Sequence, residues 1–256
     1  MKITDGKLRE IADALRTAAG KIRSRFTTAI IVAAGSGKRM CSEVPKQFMN
    51  LCGMPVVVHT LKAYENASCI SDILVVCRPG DEEIYDEYRE KFGISKLIKC
   101  VVGGETRQRS VLRGIEALSE KTRYVAIADG ARPLITPEQI DSVCMKAYRT
   151  GAATAAFPAT DTLKTAEDGI ITGTIERSTA WHATTPQAFA LNVYRAAAYS
   201  SLEDGFSATD DNSLCEHIGY DVAVVDCGKT NLKITEQTDL VIAEALLKAR
   251  AVQNPE

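Results

Sequence analysis

Ala29-Ile30-Ile31-Val32-Ala33-Ala34-Gly35-Ser36-Gly37-Lys38-Arg39-Met40 is the stretch from which the fold is read. It opens with four apolar residues, as in a strand covered on both faces, and passes into a run of small residues with two glycines. Small side chains let backbone N–H groups approach a polyphosphate, and glycine takes positive φ at little cost. Ala33, Ala34, Gly35 and Gly37 are therefore candidate nucleotide contacts. Arg39, together with Lys46 of the following Pro45-Lys46-Gln47 segment, adds two cations. Neither common nucleotide fingerprint fits. A Walker loop ends in Gly-Lys-Ser/Thr, and the dinucleotide pattern requires a third glycine where Met40 stands.

Outward from this loop, short β-branched runs alternate with helical stretches. Residues 29–32, 73–77, 98–102, 124–128, 152–157 and 222–225 read as buried strands. Residues 57–66, 82–92, 107–118 and 138–148 carry a 3.6-residue apolar period, and a last helix over 236–248 follows Thr235 as its cap. The alternation predicts an α/β three-layer sandwich with a mostly parallel sheet. Leu8, Ile11 and Leu15, with Ala12 and Ala18, predict an amphipathic N-terminal helical extension over residues 1–25, ahead of one domain over 26–256. Between about 160 and 185 the pattern becomes Thr-rich and extended. Asp168-Gly169 is a good two-residue hairpin turn, followed by Ile170, Ile171, Thr174 and Ile175. This hairpin is too small for its own core, and is read as an arm projecting against another subunit.

Composition narrows the function classes. The 256 residues are 45% hydrophobic and 25% charged, with a formal net charge of -2. That balance gives no basic surface for nucleic acid or for an anionic membrane. No apolar run reaches the roughly 20 residues of a bilayer span, and the charged N-terminus has no secretory pattern. The eight cysteines are scattered, without a C-x-x-C spacing or a Cys/His cluster. They read as small buried hydrophobes of a cytoplasmic protein.

Four further segments carry chemistry. Gly103-Gly104-Glu105-Thr106-Arg107, running to Ser110, follows a strand and opens a helix; taken alone it is an ordinary loop and helix start. Ala128-Asp129-Gly130-Ala131-Arg132-Pro133 closes a strand, at the sheet edge where open α/β folds bind ligands. A single carboxylate such as Asp129 suits Mg²⁺, which takes one or two carboxylates plus phosphate oxygens and water. Asp161-Thr162 and Arg177 frame the arm before Trp181-His182-Ala183-Thr184-Thr185, where His182 reads as an ordinary histidine. Asn231-Leu232-Lys233-Ile234-Thr235 precedes the last helix, and Ala208-Thr209-Asp210-Asp211 reads mainly as a helix N-cap with first-turn acids.

Together these segments resemble the sugar-phosphate nucleotidyltransferases. Pro45-Lys46-Gln47 at its spacing resembles the branch of 2-C-methyl-D-erythritol 4-phosphate cytidylyltransferases and the ribitol-5-phosphate relatives. The resemblance runs from about Thr27 to the final helix and implies a Rossmann-like fold of nucleotidyltransferase type. By resemblance, Gly104, Glu105 and Ser110 hold the cytosine, and Gly130 also belongs to the nucleotide site. Asp161, Thr162, Arg177 and Thr185, with Arg132, serve the acceptor, the arm of one subunit closing over the site of the other in a homodimer. Lys233 reaches the reacting phosphate beside Arg39 and Lys46. Two departures stand out: Ala128, where the family usually has His, and Asn212, where relatives often have Ala.

The implied reaction joins CTP to a small sugar-alcohol phosphate and releases pyrophosphate, with Mg²⁺ on Asp129 and no protein nucleophile. The Trp181-His182-Ala183 run favours methylerythritol phosphate as acceptor. Ribitol 5-phosphate or another polyol phosphate is the alternative, and a nucleotide-binding regulator without turnover is the alternative from another class.

Overall fold

The β-branched runs become the centre of one seven-stranded sheet. Its strands are β1 (Thr27–Val32), β4 (Asp72–Cys77), β5 (Leu97–Val102), β6 (Tyr124–Asp129), β7 (Ala152–Pro158), β10 (Trp181–Ala190) and β11 (Ala223–Asp226), in the order β11-β7-β10-β6-β1-β4-β5. In this computed structural model, residues 5–19, 24–35 and 44–253 are described, with side chains from residue 10 onward. β1 pairs in parallel with β4 and β6, β4 with β5, and β7 with β11. β10 runs antiparallel to both its neighbours. Two minor ladders complete the strands: β2 (Asn50–Leu51) with β3 (Met54–Pro55), and β8 (Lys164–Glu167) with β9 (Ile170–Thr174).

Consecutive residues of a strand point to opposite faces, and β1 feeds both layers. Ile31 packs with Leu61 and Tyr64 of α2 (Val56–Asn66), Tyr85 of α3 (Glu82–Phe92) and Val143 of α5 (Pro137–Thr150). Ile30 packs on the other face with Val111 and Ile115 of α4 (Arg107–Glu116) and Tyr194 of α6 (Leu191–Glu203). The three-layer α/β sandwich anticipated from the alternation is thus present. A third, smaller cluster sets Ala243 of α8 (Gln237–Gln253) against Leu51, Leu134 and Ile234.

β10 and α6 depart from the pattern expected of a central strand and a helix. β10 carries Thr184, Thr185, Pro186 and Gln187 in its middle, a poor pattern for a central strand. Its register against β7 shifts between Ala183 and Gln187, so proline sits at a bulge, where its missing N–H costs no ladder bond. α6 has an alanine run, Ala196-Ala197-Ala198, that blurs its period. α7 (Asp211–His217) follows the N-cap expected at residues 208–211, where Asp210 accepts from Ser213 N at 3.0 Å. The last helix begins at Gln237, and its N-terminal bonding is the reverse of the expected cap. Thr235 donates its hydroxyl and N–H to Asp239 Oδ2, at 2.8 and 2.7 Å.

The N-terminal helix, α1 (Asp5–Ala19), lies against α6, with Ala12 and Ala19 buried. Arg16 ties it to Asp221 at 2.8 Å and stacks over the Tyr220 ring. In the β8–β9 hairpin, Asp168 (φ 48°) and Gly169 (φ 78°) both take left-handed values, as a type I′ turn demands. Ile170 and Ile171 of this hairpin are 70% and 62% exposed. Among the described residues no helix is long and apolar enough to cross a membrane. Of the seven described cysteines, all free, Cys77, Cys144, Cys215 and Cys227 are buried, while Cys52 is exposed; Cys41 lies outside the described residues.

Gly151 ends α5 at φ 84°, and a Cβ there would run into the Tyr220 hydroxyl, which donates to Thr150 O. Gly151→Ala combines a disfavoured backbone with overpacking and is expected to destabilise the chain by about 2–4 kcal/mol. Urea denaturation of the variant beside the parent measures this.

Candidate functional site

A cavity of about 440 Å³ opens at the C-terminal ends of β1 and β6. Ala33, Ala34 and Gly35 form one wall. Gln47, itself buried, donates to Ala33 O at 3.1 Å and holds this wall from the Pro45-Lys46-Gln47 segment. Lys46, on a 3₁₀ turn (Lys46–Phe48), lines the cavity and donates to Ile234 O at 2.8 Å. The loops of Lys46 and Lys233 are thereby joined. Gly37 and Arg39 lie outside the described residues.

Gly104, Glu105 and Ser110 form the opposite wall. Ser110 is buried, and its hydroxyl accepts from Gly104 N and donates to Gly104 O, at 3.1 and 3.2 Å. The loop is held in shape by the serine assigned to the base. Gly103 allows the walls to meet, since a Cβ there would collide with Ala34 and with the Ser110 hydroxyl. α4 starts immediately after this loop, capped by Thr106, whose hydroxyl accepts from Arg109 N.

Asp129 sits at the floor, last residue of β6 and buried. Its Oδ2 is 2.9 Å from Lys233 Nζ and 3.3 Å from Arg132 Nε, and its Oδ1 is 3.8 Å from Arg107 Nε. Burial works against ionisation, but Lys233, Arg132 and Arg107, in that order, outweigh it and hold the carboxyl at about 2. Arg132 also donates to Asn231 O at 2.7 Å, and Asn231 Nδ2 donates to Thr185 O at 2.7 Å. Thr185 Oγ1 in turn accepts from Asp129 N at 3.1 Å. Gly130 lines the floor, where an added Cβ would crowd the Ala33 side chain at 3.2 Å.

Lys46, Lys233, Asp129, Arg132 and Thr185 therefore meet in one place. Asp161, Thr162 and Arg177 do not: all three are exposed, at the base of the hairpin, with Arg177 donating to Thr160 O at 3.1 Å. His182 is exposed and stacks on Phe157 at 4.7 Å. Among the described residues no group of three or more His, Cys, Asp or Glu gathers as a metal cage. Ala128 is buried in the core beneath the floor. Asn212, also buried, donates to Thr154 Oγ1 and Asp210 Oδ2, at 3.1 and 3.0 Å.

Sequence reading gave no role to Arg107 or Tyr194 and read Asp211 as a first-turn acid. Arg107 Nη2, on a partly exposed side chain, is 2.7 Å from Oδ2 of the buried Asp211, and Tyr194 donates to Asp211 Oδ1 at 2.7 Å. Burial disfavours the Arg107 charge, but Asp211 and Asp129 overcome it and raise its pKa. Burial pushes the Asp211 carboxyl up despite Arg107. The partners lie far apart along the chain, so no spacing announces them.

Comparison with known proteins places this arrangement. The family model described as 2-C-methyl-D-erythritol 4-phosphate cytidylyltransferase matches residues 27–249. A protein of that name from Pelotomaculum thermopropionicum is 42% identical over 224 residues, which are 87% of this chain and 94% of the relative. Another, from Bacillus licheniformis, is 42% identical over 220 residues, 86% of this chain and 95% of the relative. The crystal structure of 4-diphosphocytidyl-2C-methyl-D-erythritol synthase from Anaerococcus prevotii superposes with a TM-score of 0.78 at 32% identity, covering 92% of this chain and 99% of that one.

The Asp129 carboxyl is lowered from its ordinary 3.8 to about 2 in the folded chain. Its stabilising contribution, about 2 kcal/mol, is complete above the unfolded value and lost as pH falls towards the folded one. The difference in melting temperature between parent and Asp129→Asn is expected to hold from neutral pH to about 4 and to shrink between about 3.8 and 2. Thermal melts across that series check it.

Proposed function

The chain belongs to the 2-C-methyl-D-erythritol 4-phosphate cytidylyltransferase family, and from that premise we propose that it transfers the cytidylyl group of CTP to 2-C-methyl-D-erythritol 4-phosphate, releasing pyrophosphate. The observation that carries this reading is the meeting of Lys46 and Lys233 with Asp129 in one cavity beneath a glycine loop. A phosphate oxygen of the acceptor attacks the α-phosphorus of CTP, and the bond from that phosphorus to the β-phosphate oxygen breaks. The acceptor monoester is already ionised near pH 7, with a second pKa of about 6, so no general base is needed. Catalysis is then positioning and charge stabilisation. Lys46 and Lys233 face the charge that grows on the α-phosphate, and Arg39 is given the same task by the resemblance alone. The walls formed by Ala33, Ala34 and Gly35, and by Gly104, Glu105 and Ser110, hold the nucleotide over Gly130.

Asp129 fits a magnesium ion: it is a buried strand-end carboxylate, and its Oδ1 lies beyond hydrogen-bond reach of Arg107. Mg²⁺ asks for one or two carboxylates, with phosphate oxygens and water completing its shell. Such an ion, when bound, supplies neutralisation of the triphosphate charge.

The acceptor site is assigned to a homodimer. Asp161, Thr162 and Arg177 stand outside this chain's own cavity, on a hairpin whose Ile170, Ile171 and Trp181 are exposed. A two-stranded hairpin is marginal alone, and burying these side chains on a second copy stabilises it. Its Arg177 fork then binds the acceptor phosphate across the interface, while Thr185 and Arg132 serve from the floor. The N-terminal helix is an addition to this catalytic domain, and the free cysteines suit a cytoplasmic location.

Pyrophosphate release with CTP and methylerythritol phosphate tests the reaction; release with ribitol 5-phosphate alone would overturn the acceptor. Lys46→Ala is expected to lower kcat by about 10²–10³-fold, the scale of losing one transition-state donor, while the chain stays folded with a cooperative thermal melt. Near-parental kcat would remove Lys46 from the mechanism. Replacing the β8–β9 hairpin, residues 164–174, by a short linker is expected to convert a dimer to a monomer in light scattering and to abolish turnover. A parent chain that is monomeric in solution rejects the shared site.

A further inference from the structure

Arg107 is the first residue of α4 and lines the cavity, yet its firmest contact points away from it. Its Nη2 meets Asp211 Oδ2 at 2.7 Å, with the Asp211 side chain 1% exposed. Asp211 is fixed on its other oxygen by the buried Tyr194 hydroxyl and on its backbone N–H by Gln187 Oε1, at 2.7 and 2.9 Å. The guanidinium is 30% exposed and only the acid is fully buried; a pair with a buried acid gains little over apolar residues of the same size, so packing alone does not call for it. The same guanidinium turns its Nε to Asp129 Oδ1 at 3.8 Å.

The two oxygens of Asp129 are thus held differently. Oδ2 is engaged by Lys233 and Arg132, and Oδ1 faces Arg107 across a wider gap. We propose that Arg107, anchored from behind by Asp211 and Tyr194, is a positioning residue that fixes the plane of the Asp129 carboxylate and so presents Oδ1 for the divalent cation. The inference rests on the reading of Asp129 as the metal ligand. Groups standing behind a ligand typically change metal affinity or activity by about 10–100-fold when removed.

The test uses the full chain and two kinds of variant. Arg107→Met with Asp211→Leu and Tyr194→Phe removes the assembly without stranding a buried charge. Arg107→Lys keeps the charge but lacks the fork that reaches both carboxylates. Mn²⁺ affinity in the presence of CTP, without acceptor, is read by calorimetry, alongside kcat and KM for CTP and the melting temperature.

In the folded triple variant, Mn²⁺ affinity and kcat are each expected to fall by about tenfold or more, with KM for CTP changed by less than about threefold. Arg107→Lys is expected to lie between it and the parent. Should the triple variant fail to fold, Arg107→Lys decides alone, with a loss of about threefold or more in Mn²⁺ affinity expected. Folded variants with Mn²⁺ affinity and kcat within about twofold of the parent would show that the pair serves stability only. A rise in KM for CTP at constant kcat would make Arg107 a nucleotide contact and also overturn the proposal. A parent that binds Mn²⁺ with CTP but does not turn over methylerythritol phosphate fails the functional reading, while the Mn²⁺ measurement still judges Arg107.

Discussion

A carboxylate taken out of water costs several kcal/mol unless neighbouring charge repays it, and Asp129 is placed where that condition governs the architecture around it. It ends the strand at the middle of the sheet, and three cations from three different segments answer it: Arg107 at the start of α4, Arg132 just after β6, and Lys233 before α8. Each of these is held in turn. Arg107 rests on Asp211, Arg132 on the Asn231 carbonyl, and the Lys233 loop on Asp239 and Lys46. The cavity walls inherit their positions from this balance.

The parts legible in the sequence are those in which the chemistry is local. The loop after β1 declares itself through consecutive small residues, and Asp168-Gly169 through the left-handed backbone that its turn requires. Lys46, Asp129 and Lys233 could be picked out because each sits in a short motif next to a strand or helix boundary. β10 was not legible, because its polar centre is satisfied by contacts with distant residues: Thr185 with Asp129, Gln187 with Asp210 and Asp211. For the same reason the buried contacts of Asp211 were not legible, although it is the first-turn acid that its motif announces. Two adjacent aspartates in one motif have opposite surroundings: Asp210 caps the helix, and Asp211 is buried against Arg107. Their identities are the same, and only the tertiary contacts tell them apart.

β10 also joins the two halves of the proposed mechanism. Its first three residues, Trp181, His182 and Ala183, are exposed at the base of the hairpin, and everything from Thr184 onward is buried. The bulge between Ala183 and Gln187 lies at this change, and Thr185, inside it, contacts the backbone of Asp129. One strand therefore links the floor of the cavity to the hairpin assigned to a second subunit. A disturbance at either end has a short and continuous route to the other, through packed backbone rather than through a flexible joint.

The distribution of the three cations along the chain has a consequence for the order of assembly. A ribosome delivers the chain from its N-terminus, so Arg107, Asp129 and Arg132 emerge with most of the sheet while Lys233 is still unmade. Until the last segment arrives, the carboxylate lacks the closest of its counter-charges. Docking of that segment brings Lys233 to Asp129, Ile234 into the small apolar cluster, and Arg250 of α8 to the Leu134 carbonyl. Completion of the site and closure of the C-terminal part of the domain are thus one event, and a nascent chain stopped short of residue 233 holds its central acid without its closest partner.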